Sequence, residues 1–191
     1  MTMITVTPAR RRRILVTLGA LSAVGPLSLD LYLPVLPELA ADLGTTDALG
    51  QLTISLCMVG LAVGQLFAGP LSDRTGRRVP LLTGAVLYAA ASVLCALAPT
   101  IWALIALRLL QGLAGAAALV IARAIVRDLF EGTEAARVFS VMVLVTGLAP
   151  ILAPLAGGQI ARFTDWRGQF AVLAVIGALL AAAAATLPET L

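Results

Sequence analysis

Six long apolar runs, at 14–37, 51–68, 79–98, 101–123, 138–161 and 169–187, occupy most of the 191 residues and leave only short polar connections between them. About 20 predominantly apolar residues coiled as a helix match the ~30 Å hydrocarbon core of a bilayer. Backbone in hydrocarbon must satisfy its own hydrogen bonds, so only helices and closed barrels can span it. The runs lack the period-two alternation of a barrel strand. The fold class expected is therefore an all-α integral membrane protein, a six-transmembrane-helix bundle. With 60% hydrophobic and 12% charged residues, the composition lies far from that of soluble domains, roughly 45–50% and 25%.

The charges set the orientation. Arg10, Arg11, Arg12, Arg13, Arg74, Arg77, Arg78, Arg123, Arg127 and Arg137 fall on one side and only Arg162 and Arg167 on the other. The first side is thus cytoplasmic, with both termini inside and the chain a multi-pass protein of the inner (cytoplasmic) membrane. Residues 1–13 form a basic cytoplasmic arm, 14–187 the bundle, and 188–191 the start of a further loop. Arginines placed between apolar runs serve orientation, so no nucleic-acid partner is expected. The chain has no histidine, which argues against a metal site or histidine-based acid–base chemistry and leaves carboxylates as the only proton carriers; no cofactor is expected. Cys57 and Cys95 lie in different runs and read as small core residues. Arg10 to Arg13 with the first run imitate a signal peptide, but the run is too long and lacks a cleavage site.

Three stretches carry more than orientation. Between the second and third spans, Gly69-Pro70-Leu71-Ser72-Asp73-Arg74-Thr75-Gly76-Arg77-Arg78 sets an acid among arginines and brackets it with glycines. The two glycines are expected to bend the backbone sharply there, with Pro70 at a helix end and Pro80 at a helix start. Within the spans, Asp30 and Arg108 are ionisable, which in lipid is expensive unless the group is paired or wetted. Each is seven residues from the assigned outer end of its helix, hence ~10 Å deep at ~1.5 Å per residue. The two are expected to meet at one level as a water-accessible switch, a static ion pair being the alternative. Gly25-Pro26, Pro34 and Pro37 predict a first span kinked on both sides of Asp30. Gln111 stands one turn from Arg108, followed by Gly112, Gly115 and Ala116. The fifth span carries Gly147, Pro150, Pro154, Gly157 and Gly158, a bent helix with small residues for close approach. Gly64-Gln65-Leu66 before Asp73-Arg74-x-Gly76 returns about ninety residues later as Gly158-Gln159-Ile160 before Asp165-x-Arg167-Gly168, an inverted 3+3 repeat of the kind that builds secondary transporters.

Gly69, Leu71, Asp73, Arg74, Gly76, Arg77 and Arg78 resemble the signature loop of the major facilitator superfamily. Arg108-x-x-Gln111-Gly112 resembles its fourth-span motif, associated with proton coupling, and departs from it at Ala114, where the family often has glycine. The fifth span resembles the family's antiporter motif, with Pro154, Gly157 and Gly158 matching its core and Ala153 in place of glycine. With residues 29–37, these motifs are similar to the bicyclomycin and chloramphenicol resistance branch of drug:proton antiporters. The resemblance implies half of a twelve-span fold and export of a small amphipathic drug-like substrate against protons. In that reading Asp30 carries the proton, Arg108 modulates it, and Tyr32 and Gln111 line the cavity with Asp30. It also implies a latch in which Arg77 or Arg78 bonds Asp128, together with Asp73, Gly69, Arg74 and Gly76. Six spans in place of twelve point to a truncated longer transporter, or to a half that pairs with itself or with a second six-span half; a non-transporting membrane fragment, or a structural partner of another half-transporter, is the alternative. An enzyme is not expected: a membrane-embedded phosphoalcohol transferase would need more clustered acids than Asp73 and Asp128.

Overall fold

The computed structural model describes residues 8–187 and 189–190; residues 1–7 of the basic arm, Pro188 and Leu191 lie outside the described residues. The first span is composite: α1 Pro8–Ser22, α2 Val24–Asp30, a 3-10 turn Leu33–Val35 and α3 Leu36–Asp42. Five continuous helices follow, α4 Asp47–Thr75, α5 Arg78–Ala96, α6 Ile101–Leu129, α7 Gly132–Ile160 and α8 Trp166–Ala185. Six helices are long and apolar enough to cross a membrane, and there is no strand among the described residues.

The breaks in the first span follow from its prolines. Pro26 has no N–H to give the carbonyl of Ser22, where α1 stops, and Pro34 has none for Asp30, where α2 stops. The signature stretch differs from the turn expected of it. Helix α4 runs through Gly69 and Pro70 to Thr75, and only Gly76, at φ +87°, reverses the chain. Pro70 leaves only the Leu66 carbonyl without its helical donor, and the helix runs on past it, with Ser72 Oγ bonded to the Gly69 carbonyl and Thr75 Oγ1 to that of Leu71, both at 2.8 Å. Helix α6 continues past the fourth apolar run to Leu129, as a cytoplasmic helical extension toward Phe130 would have it. Helices α4, α6 and α7 have 29 residues each, ~43 Å at ~1.5 Å per residue, longer than a ~30 Å hydrocarbon core.

The second span packs on the fourth, the fifth on the first, and the third on the sixth. Exchanging spans one, two and three with four, five and six maps these contacts onto themselves, as an inverted 3+3 repeat requires. The second and fourth spans touch backbone to backbone. A Cβ on Gly60 would lie 2.3 Å from the Leu109 carbonyl oxygen, and one on Gly112 only 2.2 Å from that of Cys57. In lipid such close approach supplies the packing that holds helices together. Cys57 and Cys95 are free and buried in this interior.

Candidate functional site

Arg108, near the middle of the bundle on α6, is completely buried. Its Nη2 donates to the Ser28 carbonyl at 2.6 Å and its Nη1 to Gln111 Oε1 at 2.5 Å. The guanidinium lies 4.6 Å from the ring centre of Tyr32 and 5.5 Å from that of Phe170. No carboxylate among the described residues pairs with it, and Nε has no partner at all. A desolvated cation–π contact is worth about 2 kcal/mol, whereas moving an ion out of water costs several kcal/mol even after relaxation. The interior therefore holds a positive charge compensated only by dipoles and ring faces.

Around it the polar groups form one directed network. Gln111 Nε2 donates to Ser92 Oγ (2.6 Å), which donates to the Tyr88 carbonyl (2.7 Å). Ser28 Oγ spends its proton on the Val24 carbonyl, so Tyr88 Oη donates to Ser28 Oγ at 2.7 Å. By the same logic Tyr32 Oη donates to Thr53 Oγ1 at 2.8 Å, since Thr53 donates to Gly50. Spans one to four are thereby tied through polar groups at one level.

Asp30 does not join this network. It is partly exposed and has no hydrogen bond or ion pair among the described residues, so the expected meeting with Arg108 is absent from this conformation. Two residues along a helix turn a side chain by roughly 200°, and the side chain of Ser28 already faces Tyr88, leaving Asp30 directed away. Arg108 instead holds the main chain two residues before the acid. Tyr32 and Gln111, expected to line a cavity, are wholly buried among the hub's own groups. An open cavity of about 300 Å³ lies elsewhere, bordered by Ser22, Arg123, Phe139, Met142, Val143, Thr146 and Gly147.

The fifth-span motif divides. Helix α7 is continuous through Pro150 and Pro154. A Cβ on Gly157 would lie 1.8 Å from the Leu31 carbonyl oxygen, whereas at Gly147 and Gly158 it would meet nothing within 4 Å. Only Gly157 is a contact glycine, and it clamps the first span at its break. Gln169, which sequence reasoning passed over, donates to the Gly157 carbonyl at 2.8 Å while its own Oε1 is buried without a partner.

At the Asp73 end, Arg77 Nε donates to Asp128 Oδ2 at 2.9 Å, and its Nη1 donates to Ser72 Oγ at 2.8 Å and to Asp73. The hydrogen bond to Asp128 is the main cause that holds this guanidinium's pKa above its ordinary value, and it outweighs the burial that pulls the other way. Arg78 turns elsewhere, with Nη2 on the Ala185 carbonyl at 2.6 Å. Arg74 is exposed, and Gly69 lies inside α4, its added Cβ 3.6 Å from Val120. Glu189, a residue the sequence did not single out, accepts from the main-chain N–H of Arg77 at 2.7 Å and of Arg78 at 3.2 Å, capping α5 from beyond the sixth span. The one available signal was an acid placed just after the last apolar run.

A sequence model of the Major Facilitator Superfamily matches residues 10–190. The chain is 48% identical over 165 residues to an uncharacterized MFS-type transporter, YdgK, of Bacillus subtilis (strain 168), a match covering 85% of this chain and 41% of that protein. It is 38% identical over 168 residues to a bicyclomycin resistance protein homolog of Haemophilus influenzae, covering 88% and 42% respectively. Among solved structures, a bacterial homolog of the human lysosomal transporter Spinster, in an inward-facing and occupied conformation, superposes with a TM-score of 0.84 at 18% identity, over 95% of this chain and 45% of that one. The chain thus spans less than half the length of these relatives.

Proposed function

The chain belongs to the Major Facilitator Superfamily, a family of transporters, and on that premise we propose that it forms the six-span half of a drug:proton antiporter in the cytoplasmic membrane, with both termini cytoplasmic. Asp30 carries the proton, Arg108 modulates it, and the exported molecule is small and amphipathic. The cavity is completed by a second six-span half or a second copy. One observation carries this reading: a buried guanidinium without a counter-ion holds the main-chain carbonyl two residues from an acid without a partner. Ionised, Asp30 is drawn toward Arg108, and the guanidinium exchanges the Ser28 carbonyl for the carboxylate. Protonated, Asp30 loses that attraction and the present arrangement is favoured. Proton uptake and release then change how the first span is tied to the fourth, and a change of that kind, taken up alternately from the two sides, couples proton flow to exposure of the cavity.

Support for the drug-like substrate comes from the bicyclomycin resistance homolog. Expression in an efflux-deficient host tests the reading. Asp30→Asn should abolish proton-driven resistance while the protein still inserts, and undiminished resistance would remove Asp30 from the mechanism. The alternative reading is a non-transporting fragment or a structural partner of another half-transporter. Resistance from the chain alone would support pairing with itself, resistance only with a co-expressed second half would support a split transporter, and none in either case would support the fragment.

A further inference from the structure

At the end opposite the signature loop, Asp42 Oδ2 accepts from Trp166 Nε1 at 2.9 Å and from Arg167 Nη1 at 2.6 Å. The Arg167 guanidinium also lies over the Trp166 indole, 4.2 Å from its centre, and Trp166 is fully buried. Helix preference accounts for neither charge. Asp42 is the last residue of α3, where the helix dipole disfavours an acid, and Arg167 stands in the first turn of α8, where it disfavours a cation. Each opposes its own helix and suits the other.

This arrangement is the signature-loop contact seen through the inverted repeat. Asp128 closes the fourth span as Asp42 closes the first, and Arg77 opens the third as Arg167 opens the sixth. The copy at the Asp42 end is wetter: the Arg167 side chain is 37% exposed against 7% for Arg77. What it holds is α3, a seven-residue helix separated from the rest of its span by the proline break. At its other end α3 leads directly back through Tyr32 to the Arg108 hub.

We propose that Asp42, Trp166 and Arg167 form a second latch, which holds α3 against the sixth span and so controls access from that face to Asp30 and the hub. It rests on the proposed function only in treating the hub as the place to which access matters. The test uses the full chain in lipid nanodiscs, with hydrogen exchange over residues 33–45 and maleimide labelling of a Leu33→Cys variant; native Cys57 and Cys95 are buried. Asp42→Asn and Arg167→Gln should each raise exchange and labelling about tenfold, and the double variant no further, because both remove one coupled contact. Arg162→Gln, which removes an exposed charge from the same connection, should leave both rates unchanged, as should all variants at residues 76–80. Single variants that behave like Arg162→Gln, effects that multiply in the double variant, or an equal rise at 76–80 would each overturn the latch. Neither readout needs transport, so a chain that exports nothing leaves this inference standing, and flat labelling leaves the transport reading untouched.

Discussion

The contact between the second and fourth spans allows a test in which one chemical change has opposite expected outcomes at two positions. In Gly112→Ala the new methyl would lie 2.2 Å from the Cys57 carbonyl oxygen and 2.9 Å from the Leu61 nitrogen, all of it backbone. A carbon and a carbonyl oxygen approach to about 3.3 Å at closest, so α4 and α6 must separate by about 1 Å. A gap of that size forfeits a quarter to a half of the dispersion energy of the atoms flanking it, and overpacking of this kind costs about 1–3 kcal/mol. Because the obstacle is main chain on a second helix, the upper value applies, equivalent to a fall of about 6–12 °C in midpoint for a chain this size. Gly147→Ala places its methyl in open space and gains up to ~1 kcal/mol of helix propensity. Thermal unfolding of both variants in the same detergent, followed by circular dichroism, separates the two effects. If Gly112→Ala unfolds at or above the Gly147→Ala midpoint, the backbone contact described here is wrong.

Three further substitutions probe the Arg77 contacts and the break in the first span. Asp128→Asn should destabilise the contact between Arg77 and Asp128 by about 1–3 kcal/mol, since it withdraws the more buried carboxylate, 19% exposed, from a buried guanidinium, while Asp73→Asn, at a side chain 63% exposed, should cost less than about 1 kcal/mol; hydrogen exchange at residues 76–80 gives the ranking, and a reversed order refutes it. Pro34→Ala restores a donor for the Asp30 carbonyl and should extend α2 toward α3, slowing exchange at residues 31–36 while abolishing any transport that the wild-type chain supports; faster exchange would show that the break has another cause.

The membrane class and the six spans were legible because hydropathy and arginine placement act over whole segments, and the inverted repeat because Gly64-Gln65-Leu66 returns about ninety residues later as Gly158-Gln159-Ile160. Single contacts were legible where a motif spacing was itself a contact: Gln111 lies one helical turn from Arg108 and touches it. Where partners lie far apart in the chain, residue type alone could not choose among them. Asp30 and Arg108 share a depth, yet depth ignores rotation about the helix axis, and rotation gives Arg108 the Ser28 carbonyl instead. The fifth-span glycines looked equivalent, but only Gly157 faces a neighbouring backbone. Pro70 read as a helix end because proline was weighed as a breaker, whereas it removes only the one donor that the Leu66 carbonyl would have had, and the chain turns only at Gly76.

The composite first span bears on how an unpaired acid, two residues from the carbonyl that Arg108 holds, could be brought to that cation. Helix α2 has seven residues and is bounded by one break at Ala23 and another after Asp30, so it can rotate or slide without carrying α1 or α3 with it. Its neighbours are pinned: α3 by Asp42 to the sixth span, and the break itself by Gly157 of the fifth. Arg108 grips the segment through a main-chain carbonyl, a contact that any residue at position 28 would supply and that a carboxylate can displace. An uninterrupted helix would have to turn as a whole to bring Asp30 to the guanidinium, disturbing every contact along ~30 Å of packing. Two prolines would confine such a movement to two turns, and under the proposed coupling a proton would have to bias only those two turns rather than the entire span.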